Sequence, residues 1–163
     1  MREILFRLCE HADEFAQIFA LVDRNVLTGG RLIVTPRMLE ALVKILSDRS
    51  LRMEHTEFAA DGTIRLTASV GGMHIDYEFR IDRFSVAGGN ADGRIFYTET
   101  RRGGGLGNAL LGISGKSSLA FALSGHRWLQ ITDREIVIAA RSLPQSLRIG
   151  WQGVTRSGIV FRV

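Results

Sequence analysis

Cysteine occurs once, at Cys9, and proline and lysine twice each in 163 residues. Each shortage excludes something. A lone cysteine rules out a disulfide framework and fits a reducing compartment. No run of about 18 apolar residues occurs, so the sequence offers no membrane-spanning helix. Met1 to Arg7 leads into Glu10 and Asp13 before a signal-length apolar run can form, so export through this N-terminus is not expected and a cytoplasmic protein is. No repeat or low-complexity stretch is present. With 45% hydrophobic and 23% charged residues, the chain has ordinary globular composition, and one domain over 1–163 is expected.

Charge is unevenly laid out. Up to Asp82 there are ten basic and thirteen acidic residues, net −3; beyond it there are eleven and four, net +7. The excess lies after residue 100, where Arg101, Arg102, Lys116, Arg127, Arg134, Arg141, Arg148, Arg156 and Arg162 face only Asp133 and Glu135. Such a field steers anionic partners. Nineteen of the 21 basic residues are arginine, and scattered surface arginine explains most of them.

From Glu3 to Leu27, Ile4, Leu8, Ala12, Phe15, Phe19, Val22 and Val26 recur every three or four residues, which predicts a long helix stopped at Gly29-Gly30. After a short strand, Arg31 to Val34, Thr35 and Pro36 suit the cap and first position of a second helix reaching about Ser47. Ile64, Leu66, Ala68 and Val70 then alternate with polar residues, as do Met73, Ile75, Tyr77, Phe79 and Ile81. Asp61-Gly62 and Gly71-Gly72 supply hairpin turns. Parity slips between Ile81 and Phe84, which predicts a bulge near Arg83. Further strands are expected over 94–100, 128–132, 135–140, 146–151 and 158–163. The predicted fold class is α+β: a long N-terminal helix and a second helix packed on a curved, mostly antiparallel sheet of six to eight strands.

Motifs that carry chemistry fail on inspection. Leu110 to Ser117 has Leu110 where a phosphate loop needs its first glycine. Lys116 occupies the second glycine position of a nucleophile elbow around Ser114. His11, His55, His74 and His126 show no metal spacing with Cys9. His74, Asp76, Glu78, Arg80 and Asp82 share one strand face, and a solvated face of alternating charge accounts for them better than an acid–base site. Neither a catalytic residue, a metal nor a cofactor is expected. Nucleic acid is disfavoured too: Phe96, Tyr97, Trp128 and Trp151 could stack on bases, but no recognised binding signature accompanies them. Residues 103–125 combine a Gly103 to Gly107 hinge, few charges and contiguous apolar side chains between Arg101-Arg102 and His126-Arg127, a layout suited either to contact with a membrane or to a buried turn.

The order of Val34-Thr35-Pro36-Arg37-Met38-Leu39-Glu40-Ala41-Leu42, a strand, Asp61-Gly62, a glycine-split pair of alternating strands and Leu143-Pro144 before two closing strands resembles the bacterial tubular lipid-binding (TULIP-like) domains. That resemblance covers roughly residues 31–100 and 135–163. It implies a curved sheet wrapped around a long helix with acyl chains held between them. The expected function is non-enzymatic binding of a lipid or other hydrophobic small molecule in a groove lined by Phe15, Phe19, Val22, Met38, Leu42, Met73, Tyr77 and Phe79. Arg101, Arg102 and Arg127 would meet an anionic headgroup or an anionic membrane surface. The alternative is a scaffold module whose basic C-terminal part docks on an acidic protein or nucleic acid.

Overall fold

Strict alternation over 64–81 needs two strands with one dry face, and the computed structural model has them as β4 (Ile64–Val70) and β5 (Met73–Ala87). Their register puts Ile64 opposite Phe79, Leu66 opposite Tyr77, Ala68 opposite Ile75 and Val70 opposite Met73. All eight therefore lie on one face. Residues 17–18, 20–21, 26–27, 29–47, 51–70, 72–102, 117–123 and 125–163 are described by the structure.

The remaining strands are β1 (Val26–Leu27), β2 (Arg31–Val34), β3 (Leu51–Phe58), β6 (Asn90–Arg102), β7 (Leu129–Ile131), β8 (Glu135–Ala140), β9 (Ile149–Thr155) and β10 (Gly158–Arg162). Two helices lie wholly within the described residues, α1 (Pro36–Leu46) and α2 (Ser118–Ala122). All pairing is antiparallel. The strand order β1-β2-β10-β9-β5-β6-β8-β7 carries β3 and β4 as a branch on β5.

The spine is the β5–β6 hairpin, with strands of 15 and 13 residues. One edge of β5 is shared: its first half pairs with β4 over 73–79, and its second half with β9 through Ser85 and Val86. Register shifts between Ile81 and Arg83, so the bulge expected from the parity slip is present. It bends the hairpin and restores the apolar parity beyond it, which lets Phe84 and Val86 continue the face of Phe79 and Ile81.

That face is apolar over most of the sheet. Leu51, Leu66, Ala68, Val70, Ile75, Tyr77, Tyr97 and Ile136 form one buried cluster with Leu119 and Ala122 of α2. Leu32, Val34, Phe58, Ile64 and Ile159 form a second with Met38 of α1. A third, around Val86, Ala91, Ala140, Leu143 and Ile149, closes the far end of the hairpin. Gly93 belongs to this arrangement, since a Cβ there would stand 2.8 Å from Phe84 Cδ2 and 3.3 Å from Ile138 Cδ1. Its lack of a side chain gives those two residues their room.

α1 starts as the sequence indicates. Thr35 accepts a hydrogen bond from the Met38 N–H at 3.4 Å, and Pro36 takes the first helical position. At its other end the Leu46 carbonyl accepts from His126 Nε2 at 2.7 Å, which fixes the protonated ring nitrogen and ties α1 to the loop before β7.

The expected fold class is overturned. Val26 and Leu27 do not end a helix; they pair with Leu32 and Arg31 as strand β1. Gly29 and Gly30, with φ of 95° and 69°, are the turn of that hairpin rather than a helix stop, because positive φ serves both purposes. Gln17, Ile18, Ala20 and Leu21 are helical, and Leu21 packs against the second cluster. The rest of the expected helix over 3–25 lies outside the described residues. Among the described residues the molecule is a ten-stranded antiparallel sheet with helices of 11 and 5 residues, not a long helix laid on a smaller sheet.

Candidate functional site

β6 breaks the apolar rule in its last turns of pleat. Tyr97 lies opposite Phe79, Glu99 opposite Tyr77 and Arg101 opposite Ile75, so the dry face receives a phenol, a carboxylate and a guanidinium in succession. They are paired. Arg101 donates to Glu99 Oε1 from Nε at 3.1 Å and from Nη2 at 2.8 Å. Glu99 Oε2 accepts from the Ser118 backbone N–H at 3.1 Å and from its hydroxyl at 2.7 Å. Both carboxylate oxygens are thereby engaged.

The proton count assigns the remaining donors. Ser118 spends its proton on Glu99, so across the 2.6 Å contact with Tyr77 it is the tyrosine that donates. Tyr97 donates to the Thr132 carbonyl at 2.5 Å, because that oxygen can only accept, and takes the Ser117 proton at 2.7 Å. Ser117 also caps α2, accepting from the Ala120 N–H at 3.0 Å. Tyr77 is 1% exposed and Ser118 0%. Burial pushes the Tyr77 hydroxyl well above the ordinary tyrosine range, with the Ser118 hydrogen bond acting against it. The Tyr97 hydroxyl is raised by burial in the same way.

Chemically this cluster is a clasp. A serine sealed from solvent with its proton on a carboxylate is not positioned to attack a substrate, and a carboxylate with both oxygens occupied has no free lone pair aimed at one. What the cluster does is hold the start of α2 against β5 and β6, over the apolar face.

The opposite face of the sheet is wet and cross-linked. Arg65 bonds Glu78 at 3.2 Å and reaches Glu57 at 3.5 Å, and His74 Nδ1 lies 3.1 Å from Glu54. Asp76 accepts from the Thr67 hydroxyl at 2.8 Å and from Arg102, and those contacts, the threonine first, hold its carboxyl below the ordinary range. The Thr63 backbone N–H, at 2.9 Å, does the same for Asp61, helped by Arg80 at 3.7 Å. The row His74 to Arg80 is thus a solvated ion-pair ladder. Among the described residues no three histidine, cysteine, aspartate or glutamate side chains gather as a metal set.

Of the residues expected to line a groove, Tyr77, Phe79 and Met73 share the dry face of β5, while Met38 and Leu42 sit on the side of α1 that meets it. Phe79 touches both main clusters and stacks on Tyr77 and Tyr97 at 5.7 and 5.9 Å between ring centres. Met38 and Tyr77 are fully buried; Leu42, Met73 and Phe79 are half-buried. Phe15, Phe19 and Val22 lie outside the described residues. The three arginines are dispersed: Arg101 faces the dry side with its charge on Glu99, Arg102 the wet side with its charge on Asp76, and Arg127 is exposed in the loop before β7. Arg94 and Arg141 of the basic half are likewise paired, with Glu135 at 3.2 Å and Asp92 at 3.1 Å. Of the four candidate stacking aromatics only Phe96 is exposed, at 43%, under the Arg94 guanidinium at 5.5 Å.

Glu99, Ser117 and Ser118 are absent from the expected site. Thr98-Glu99-Thr100-Arg101-Arg102 has no apolar member to mark a face, so only the register with Tyr77 and Ile75 reveals which side Glu99 and Arg101 take. Ser117 is the last residue of the failed phosphate-loop string, where a capping role gives no separate signal.

No helix among the described residues is long and apolar enough to cross a membrane. No family model, curated protein or solved structure matches the chain.

Proposed function

We propose that the protein is a non-enzymatic carrier of a lipid or other apolar small molecule, held between α1, α2 and the dry face of the bent sheet. The observation that carries this reading is the half-buried state of Leu42, Met73 and Phe79, apolar side chains that pack, with other partly buried hydrophobics, against the two main buried clusters. Apolar layers that retain accessible surface are where hydrophobic ligands find partners. Three further points favour it. The dry face runs from β2 to β8, Glu99 and Arg101 on it neutralise each other, and Phe121 of α2 is 57% exposed. The element order shared with tubular lipid-binding domains leans the same way. A cytoplasmic setting, with Arg127 facing an anionic membrane during loading, completes the reading.

Solvent extraction of the purified protein, followed by native mass spectrometry and titration with cis-parinaric acid, tests it. A stoichiometric lipid adduct or saturable micromolar binding of the probe is expected, and replacing Phe79 with Asp should abolish either. A clean apo mass together with no saturable binding overturns the proposal.

A further inference from the structure

One line of register crosses the wet face of the sheet. Arg31 on β2 stands opposite Arg162 on β10, Arg162 opposite Gly150 on β9, Gly150 opposite Ser85 on β5 and Ser85 opposite Asp92 on β6. Their chain neighbours Leu32, Phe161, Ile149, Val86 and Ala91 pack in the apolar clusters, so this line points the other way, to solvent. Arg83, two residues before Ser85 and on the same side, stands opposite Arg94. Like charges placed directly across two strands repel and cost stability, and here the arrangement occurs twice. Arg94 is neutralised by Glu135 at 3.2 Å, and Asp92 by Arg141 at 3.1 Å. Among the described residues Arg31, Arg83, Arg162 and Asp82 form no ion pair, and all four are exposed. Gly150 leaves a notch among them, since nothing lies within 4 Å of where its Cβ would stand. Underneath, Phe84 and Phe161 meet edge to face at 5.5 Å between ring centres, which draws β5 and β10 together on either side of β9.

We propose that the notch over Gly150 is a binding site for a phosphate monoester, held by Arg162 and Arg31 from one side and by Arg83 and the Ser85 hydroxyl from the other. The site lies on the face opposite the apolar one, so it stands or falls apart from the carrier reading. Charge decides the class of ligand. Three unpaired guanidiniums against the single unpaired carboxylate of Asp82 leave two positive charges, and a phosphate monoester carries close to two negative ones at neutral pH. Geometry agrees, because the guanidinium fork matches phosphate oxygens with paired hydrogen bonds. Two strand spacings, about 10 Å, separate the Ser85 and Arg162 positions, a gap that an arginine side chain from either side and a phosphate between them can fill. A phosphate shared by Arg31 and Arg162 turns their repulsion into attraction. The same group is offered by a soluble phosphate ester and by the headgroup of phosphatidic acid.

Calorimetric titration of the full chain in about 0.15 M salt, where long-range attraction is screened, compares glycerol 3-phosphate with dimethyl phosphate, a diester of single charge. A second arm sediments the protein with phosphatidylcholine vesicles that carry phosphatidic acid or, at matched surface charge, phosphatidylglycerol. Preference for the monoester is expected in at least one arm: in solution it marks a soluble ester as the source, and on vesicles alone it marks the lipid headgroup. Arg83→Gln and Arg162→Gln should each weaken that binding about tenfold, the worth of one charge-assisted hydrogen bond. Gly150→Glu, which the open space admits, should abolish it. Without ligand, Arg162→Gln should melt no lower than the native protein, because it relieves the repulsion with Arg31, so its lost binding is not lost folding. No monoester binding in either arm, equal binding of monoester and diester, or binding that survives in Arg83→Gln and Arg162→Gln overturns the site.

Discussion

At the scale of single residues, the clasp joining α2 to the sheet is decided by one hydroxyl. Ser118 Oγ lies between Glu99 Oε2 at 2.7 Å and the Tyr77 hydroxyl at 2.6 Å, so its removal strands a buried phenol and halves the bonds on one carboxylate oxygen. Ser118→Ala should therefore cost about 1–3 kcal/mol, which in a chain of this size lowers the melting temperature by several degrees, roughly 2–4 °C per kcal/mol. The double change Tyr77→Phe with Ser118→Ala should cost less than the two singles added together, because the second deletion removes the group that the first left unpaired. Urea unfolding of the four proteins measures this, and strict additivity would show that the two hydroxyls do not share a bond. The sequence does not disclose this pair, since 41 residues separate Tyr77 from Ser118 and neither stands in a recognisable motif.

Among elements, the β9–β10 hairpin shows how far a local pattern can be read. Gly158 has φ 149°, and a Cβ there would press on the Val34 carbonyl and stand 3.1 Å from Ile33 Cγ2. Gly29, in the β1–β2 turn, also has positive φ, 95°, but nothing lies within 4 Å of the Cβ it lacks. Gly29→Ala should thus cost about 1 kcal/mol of backbone strain, whereas Gly158→Ala should cost about 2–3 kcal/mol because β10 must also shift away from β2. Comparable urea midpoints for the two variants would contradict the close approach. In the sequence both glycines look alike. The period-two runs of β4 and β5, the Thr35-Pro36 start and the slip at Arg83 were legible because each is set by neighbours a few residues away. Val26–Leu27 was misread as helix because a two-residue strand before Gly-Gly carries no periodicity of its own, and its pairing with β2 is what defines it.

For the whole molecule, the two tyrosines make unfolding visible from the alkaline side. The chain has only Tyr77 and Tyr97, both inside the largest cluster, and burial raises the pKa of each above the ordinary value of 10.0. A group whose folded pKa is raised contributes stability that is complete below the unfolded value and is lost as pH climbs toward the folded one. Above pH about 10 the unfolded chain releases two protons that the folded chain holds more tightly, so stability falls from there upward although the native fold binds its phenolic protons tightly. Tyrosinate absorbance at 295 nm should consequently stay flat past pH 10 and then rise together with loss of the tryptophan emission of the native state, in one cooperative step. Tyr77→Phe should move that step to higher pH relative to its own stability at neutrality, because one fewer proton drives it. Tyrosinate appearing near pH 10 with native emission unchanged would mean that the clasp opens to water without unfolding, and would place α2 as a door to the dry face rather than as part of its wall.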